Sequence, residues 1–192
     1  MTNVAIFASG NGTNCENIIR YFKDSPDIKI VLTICNKAGA KVLERAAGLG
    51  VPTAVITKAE LQEPGVVLPL LDCHEVDFIV LAGFLLVVPD YLINAYDHRM
   101  INLHPALLPN FGGPGMFGHH VHEAVKAAGE TETGMTVHWV TPVCDSGEII
   151  AQYKVAITPE DSAEDIAEKE HVLEMEHFPR VIEETIKGLQ PR

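Results

Sequence analysis

A chain of 192 residues has room for one well-cored domain, and a composition of 47% hydrophobic and 21% charged residues excludes disordered and collagen-like classes. Lys and Arg number 14 against 26 Asp and Glu, a net charge of −12, so a broad surface for a polyphosphate backbone is excluded and nucleic acid is not an expected partner. No apolar run reaches the roughly 20 residues of a membrane-spanning helix.

From the N-terminus, Met1 to Phe7 lacks a basic leader and reads as a first strand rather than a signal peptide, so the chain is expected to be cytoplasmic. The first half then alternates short apolar runs with longer mixed segments, the pattern of parallel strands joined by crossover helices. Expected strands are Val4 to Ala8, Ile30 to Cys35, Thr53 to Ile56, Phe78 to Leu81 and Met100 to Leu103. Helices are expected to begin near Cys15, Gly39 and Lys58, the second ended by Gly48 and Gly50. After Pro105 comes a Gly- and His-rich loop, Asn110 to His122, running into a helix from Glu123 to Ala128. Met135 to Val140 and Ile149 to Ile157 alternate like strands around the turn-forming Thr141 to Gly147. A closing helix from about Ser162 to Lys187 carries Ile166, Val172, Leu173, Val181 and Ile182. The expected fold class is α/β: an open, mostly parallel twisted sheet with helices on both faces and antiparallel strands toward the C-terminal end. One domain over 1–192 is expected, with a phosphate-binding half at 1–100 and a catalytic, cofactor-binding half at 101–192.

Three features carry chemistry. Ser9-Gly10-Asn11-Gly12-Thr13-Asn14 follows a strand and precedes a helix, so its amides can converge on an anion at the positive end of the helix dipole. It lacks the Lys of a P-loop and the third Gly of a dinucleotide fingerprint, which suits a phosphate monoester; an ordinary strand-to-helix turn is the other reading. Asn102 and His104, two apart at the end of a strand, share a face at the sheet rim. An amide donor beside an imidazole suits acyl transfer, the one for an oxyanion and the other for a proton, while a buried polar pair closing a strand is the alternative. Asp145 could set the tautomer of His104 or be a plain turn residue before Ser146-Gly147.

Ser9 to Asn14, Leu81-Ala82-Gly83-Phe84, Asn102-Leu103-His104-Pro105-Ala106-Leu107-Leu108-Pro109 and Asp145 follow the order found in glycinamide ribonucleotide transformylases, and the chain resembles that family over nearly its whole length. Methionyl-tRNA formyltransferases and formyltetrahydrofolate deformylases look similar at the Asn-x-His-Pro element. The Gly-Asn-Gly-Thr-Asn loop, with neither a regulatory domain before it nor a basic RNA-binding domain expected after the chain, favours the small ribonucleotide. The resemblance implies transfer of a formyl group from 10-formyltetrahydrofolate, the co-substrate, to the amine of 5′-phosphoribosylglycinamide in purine synthesis. It implies that Asn102 holds the oxyanion, His104 handles the proton and Asp145 orients it. By the same resemblance Gly12, Thr13 and Asn14 grip the phosphate, and Glu174 contacts the ribose or glycinamide. The folate lies over Leu85, Leu86, Val87 and Val88, with Asn102 at its formyl end. Small molecules are the implied partners, with no membrane, and the chain a monomer or homodimer.

The chain departs from the family in several places. Many members place an Arg after the Ala-Gly-Phe element, where this chain reads Phe84-Leu85-Leu86-Val87-Val88, and Leu61 to Leu71 contains no Arg for a glutamyl carboxylate. Asn110 replaces a common Lys, and the glycine loop up to Gly118 is long, suggesting movement or close approach to a ligand. His119, His120 and His122 cluster, but no Cys or carboxylate spacing completes a metal set, so no metal is expected. Cys15, Cys35, Cys73 and Cys144 have no short paired spacing, and reduced thiols are expected. Two other activities fit the same residues: hydrolysis of 10-formyltetrahydrofolate, and a non-catalytic ribonucleotide sensor.

Overall fold

The computed structural model describes residues 1–189. It divides into a unit from Met1 to Ile101 and a second beginning at Asn102. The first unit contains β1 (Thr2–Ala8), α1 (Thr13–Tyr21), β2 (Ile28–Cys35), α2 (Lys41–Gly48), β3 (Thr53–Val55), α3 (Lys58–Leu61), α4 (Pro64–Cys73), β4 (Phe78–Leu81) and α5 (Asp90–Ala95). β5 (Met100–His104) begins in the first unit and ends in the second. The strand order in the first unit is β3-β2-β1-β4-β5. β1 pairs in parallel with β2 and β4, and β2 with β3. Val4 to Ala8 are at most 1% exposed, so β1 is covered on both faces, the reason parallel strands read as unbroken apolar runs.

α1 starts at Thr13, two residues before the expected Cys15, because Gly12 at φ 78° turns the chain in the left-handed region as its N-cap. Its buried side chains Cys15, Ile18 and Ile19 follow the three- and four-residue spacing of one helix face. α4 and α5 were not among the sequence expectations. α4 reads PGVVLPLLDC, apolar nearly all round, so it presents no stripe to detect; Pro64 opens it where a missing N–H costs nothing, and Pro69 lies within it. α5 has only six residues, too few for a periodic signal.

The second unit holds the end of β5, α6 (His119–Ala127), β6 (Glu132–Trp139), β7 (Ile149–Ala156) and α7 (Ala163–Gly188), with strand order β5-β6-β7. β6 and β7 are antiparallel, with a register shift between Val137 and His138. The mostly parallel α/β sheet with an antiparallel C-terminal pair agrees with the expected fold class. α6 begins four residues before the expected Glu123, its first turn built from histidines that read as loop. α7 is started by a capping box in which Ser162 and Asp165 satisfy each other's backbone N–H groups. It packs on α6, β6 and β7, with Val125, Ile157 and Ile166 forming a core that Phe111 joins. Of the apolar residues that α7 carries, Val172 is 62% exposed. The buried stripe instead runs Ile166, Glu170, Glu174, Phe178, Val181 and Ile182, with two carboxyls in positions that the four-residue spacing turns inward.

Candidate active site

In the first unit, the loop after β1 is fixed by its own backbone and by its neighbours. The Ser9 N–H donates to the Gly83 carbonyl at 3.0 Å, and the Ser9 hydroxyl accepts the Leu85 N–H at 2.9 Å, tying the ends of β1 and β4 together. The Val42 N–H donates to Gly10 O at 3.2 Å, which brings α2 against the loop. A Cβ on Gly12 would lie 2.5 Å from Val42 Cβ, so only glycine fits there. Gly12 O accepts the Glu16 N–H, and no side chain caps the helix end. The leading N–H groups of α1, where Thr13 and Asn14 stand, therefore have the orientation that suits an anion. One cation near this loop escaped the sequence reading. Arg45 hydrogen-bonds Glu16 and reaches Asn11 Oδ1 at 3.3 Å. Glu16 also takes Arg20 at 2.8 Å, and these hydrogen bonds, first that of Arg20 and then that of Arg45, hold its carboxyl below the ordinary range. Sequence offered no signal for Arg45, because a helix residue 29 positions away meets Glu16 only through α1–α2 packing.

Of the four residues expected to meet folate, Leu85 is 45% and Val87 75% exposed, Leu86 is half-buried and Val88 is buried. Leu85 and Val87 thus leave apolar surface open to solvent beside the inward-turned Val88.

In the second unit, the end of β5 places Asn102 and His104 two residues apart. The chain beyond them is pinned by Thr136 of β6, whose hydroxyl donates to Ala106 O at 2.6 Å and accepts the Leu108 N–H at 3.1 Å. Gln152 of β7 adds a bond to Leu108 O at 2.8 Å. Asp145, at φ 52°, sits between two imidazoles: Oδ2 is 3.6 Å from His104 Nδ1 and Oδ1 is 3.6 Å from His138 Nε2. Both distances lie beyond hydrogen-bond length, so the coupling is electrostatic. The direct bond to Asp145 comes from the Gly113 N–H at 2.9 Å.

The tautomers follow from the carbonyls, which only accept. His138 Nδ1–H donates to Trp139 O at 2.9 Å, leaving Nε2 to accept the Asn102 amide at 3.0 Å. His104 Nε2–H donates to Phe111 O at 2.7 Å, so its Nδ1 faces the Asp145 carboxylate. Burial lowers the His104 pKa below its ordinary 6.5 and outweighs the opposing charge of Asp145. Burial alone would raise that of Asp145, but contact with His138, the Gly113 N–H and the two imidazoles together hold it below 3.8.

The structure thus brings Asn102, His104 and Asp145 together and adds His138, which the sequence reading did not single out. Its only sequence signal is its place two residues after Thr136 on the same strand face. Glu174 is 8% exposed on α7, its Oε2 accepting from His171 Nδ1 at 2.7 Å. The three clustered histidines part ways: His119 lies near Glu123 and Glu164, His120 bonds Glu123, and His122 is buried. Cys144 is exposed, its thiol pushed up by burial of the sulfur and then by the charge of Asp145, the reverse of an activated nucleophile.

Residues 2–182 match the family model described as Formyl transferase. The chain belongs to that family. It is 37% identical to a phosphoribosylglycinamide formyltransferase of Bacillus subtilis, an alignment covering 100% of this chain and 98% of the relative. It is likewise 37% identical to a chloroplastic phosphoribosylglycinamide formyltransferase of Arabidopsis thaliana, covering 96% of this chain and 66% of that one. A crystal structure of phosphoribosylglycinamide formyltransferase from Bacillus halodurans superposes with a TM-score of 0.87 at 34% identity, covering 98% of this chain and 97% of the other.

Proposed function

We propose that this formyltransferase of purine biosynthesis moves the formyl group of 10-formyltetrahydrofolate onto the amine of 5′-phosphoribosylglycinamide. The observation that carries the reading is the Asp145 carboxylate at 3.6 Å from both His104 and His138, with His138 in turn holding the Asn102 amide. In the reaction the amine attacks the formyl carbon, a carbon–nitrogen bond forms, and the formyl oxygen takes up negative charge. The second N–H of the Asn102 amide, not used by His138, donates to that oxyanion. Expulsion of the folate nitrogen breaks the old carbon–nitrogen bond, and the proton lost by the amine ends on the leaving nitrogen. When the substrate replaces Phe111 O, the ring proton passes to Nδ1, on the side of the Asp145 carboxylate, and the freed Nε2 takes the amine proton and hands it to the leaving nitrogen. Burial keeps the ring neutral near pH 7, and Asp145 stabilises the imidazolium when it forms.

Substrate binding follows the same residues. Gly12, Thr13 and Asn14 take the phosphate at the start of α1, where the glycine geometry and helix dipole support the assignment. Glu174 takes a donor of the ribose or glycinamide, and Leu85 to Val88 hold the folate ring, for which the exposure of Leu85 and Val87 is the support. No step calls for a metal. The protein acts in the cytoplasm as a monomer or homodimer on small molecules; no helix among the described residues is long and apolar enough to cross a membrane. The relatives' names favour neither the hydrolase nor the sensor. Purified protein mixed with both substrates should release tetrahydrofolate only when the ribonucleotide is present. Formate release without ribonucleotide would mark the hydrolase, and ribonucleotide binding without folate binding the sensor.

A further inference from the structure

Glu170 and Glu174 stand four residues apart in the inward stripe of α7, and both are buried, at 2% and 8% exposure. Glu170 Oε1 has no hydrogen-bond partner among the described residues. The charged group acting on Glu170 is Glu174 itself, to which its carboxyl also hydrogen-bonds. Two ionised carboxylates one helical turn apart on that buried stripe repel each other, and Glu170 Oε1 has no partner to replace its lost hydration. One proton shared between them removes the repulsion and leaves a single buried charge, which the contact with His171 supports. Burial first, then the charge and hydrogen bond of Glu174, accordingly push the Glu170 carboxyl well above the ordinary carboxylate range.

Glu174 is the better-supported anion of the two. His171 Nδ1 lies 2.7 Å from its Oε2, and that hydrogen bond raises the His171 pKa. From α6, the buried His122 feels the charge of Glu174, and its ring Nδ1 also lacks a hydrogen-bond partner among the described residues. A carboxylate has about four acceptor sites. With one oxygen fixed by His171 and a second contact from a protonated neighbour, Glu174 is locked in orientation while still able to accept from a ligand.

We propose that Glu170 is a positioning residue: it shares one proton with Glu174, and that proton holds the Glu174 carboxylate where a hydroxyl or amino donor of the ribonucleotide is read. The inference rests on the assignment of Glu174 to substrate binding made above. It is tested on the full chain in two ways. Infrared spectroscopy of protein with isotope-labelled glutamate should display the carbonyl stretch of a protonated carboxyl at neutral pH, and Glu170→Gln should abolish it. In steady-state assays Glu170→Gln, a neutral donor of the same shape, should keep the KM for the ribonucleotide near that of the parent. Glu170→Leu should raise that KM by about tenfold or more, the scale of one hydrogen bond to a charged group, with the folate KM unchanged. Absence of the protonated-carboxyl band from the parent protein overturns the shared proton whatever the variants do. A band present with an unchanged KM in Glu170→Leu, while Glu174→Ala raises it, overturns the positioning role alone. An unchanged KM in Glu174→Ala instead refutes the substrate role of Glu174, and positioning with it, while the infrared result still reports on the proton.

Discussion

Asp145 couples to two imidazoles at equal distance while its own backbone occupies the left-handed region at φ 52°. A non-glycine residue in that region is uncommon, and here the conformation turns the carboxylate toward both rings. Removing the amide or the ring tests the proposed chemistry directly. Asn102→Ala should lower kcat by about 10²- to 10³-fold, the value of one oxyanion donor. His104→Ala should lower it by about 10²- to 10⁴-fold. Circular dichroism and thermal midpoints should stay close to those of the parent, and near-normal turnover in a folded variant would refute the assigned role. The same pair gives stability a pH dependence. His104 and Asp145 both have folded pKa values below their ordinary 6.5 and 3.8. Each therefore contributes stability that is complete above its ordinary value and lost as pH falls through its lowered one. Denaturant melts from pH 8 downward should show stability beginning to fall below about pH 6.5. His104→Asn should shrink that first decline, the rest of which belongs to His122, lowered by burial in the same way, and leave the second one below about pH 4. A strand end, a two-residue spacing and a turn made Asn102, His104 and Asp145 candidates in the sequence, and the family resemblance singled them out. His138 was not legible there, since the link between β6 and Asn102 depends on strand register rather than on distance along the chain.

At the scale of elements, the turn bearing Asp145 depends on Gly147. A Cβ there would lie 1.7 Å from the Trp139 carbonyl oxygen, in β6 at the other side of the turn. Backbone must move to relieve that contact, and the segment that moves carries Asp145. Gly147→Ala should cost about 1–3 kcal/mol in urea melts, as overpacking does elsewhere, and should depress turnover as well. Gly10→Ala serves as the comparison, because a Cβ at Gly10 meets nothing within 4 Å. Equal stability in the two variants would mean that the turn relaxes freely. Elements whose pattern is strong were legible in advance: β1, β4 and the course of α7 all carry long apolar or periodic runs. α4 escaped because an apolar residue at nearly every position erases periodicity, and α5 because six residues give no second turn to compare. The burial of Glu170 and Glu174 on α7 had no hydrophobic signal, because it is set by helix phase and made tolerable by hydrogen bonds.

For the whole molecule, a net charge of −12 means that a dianionic ribonucleotide approaches against the average field. Screening should assist it, so kcat/KM for the ribonucleotide should rise modestly as salt is increased toward about 0.15 M, where the Debye length is about 8 Å. A steep fall with salt would reveal a local basic funnel that the composition conceals. Chain length, charge balance, alternating strand and helix, and the order of the glycine loop, Asn-x-His-Pro and Asp145 were enough to reach the fold class and the formyl transferase family. These are compositional signals, short local motifs and the order in which those motifs follow one another along the chain. The partnership of Asp145 with His138, the bond from Phe111 O to His104, the salt links of Arg45 and the burial of Glu170 beside Glu174 came from folding alone. Each depends on strand register, loop path, helix packing or the phase of a helix against its neighbours, and spacing along the chain encodes none of these directly.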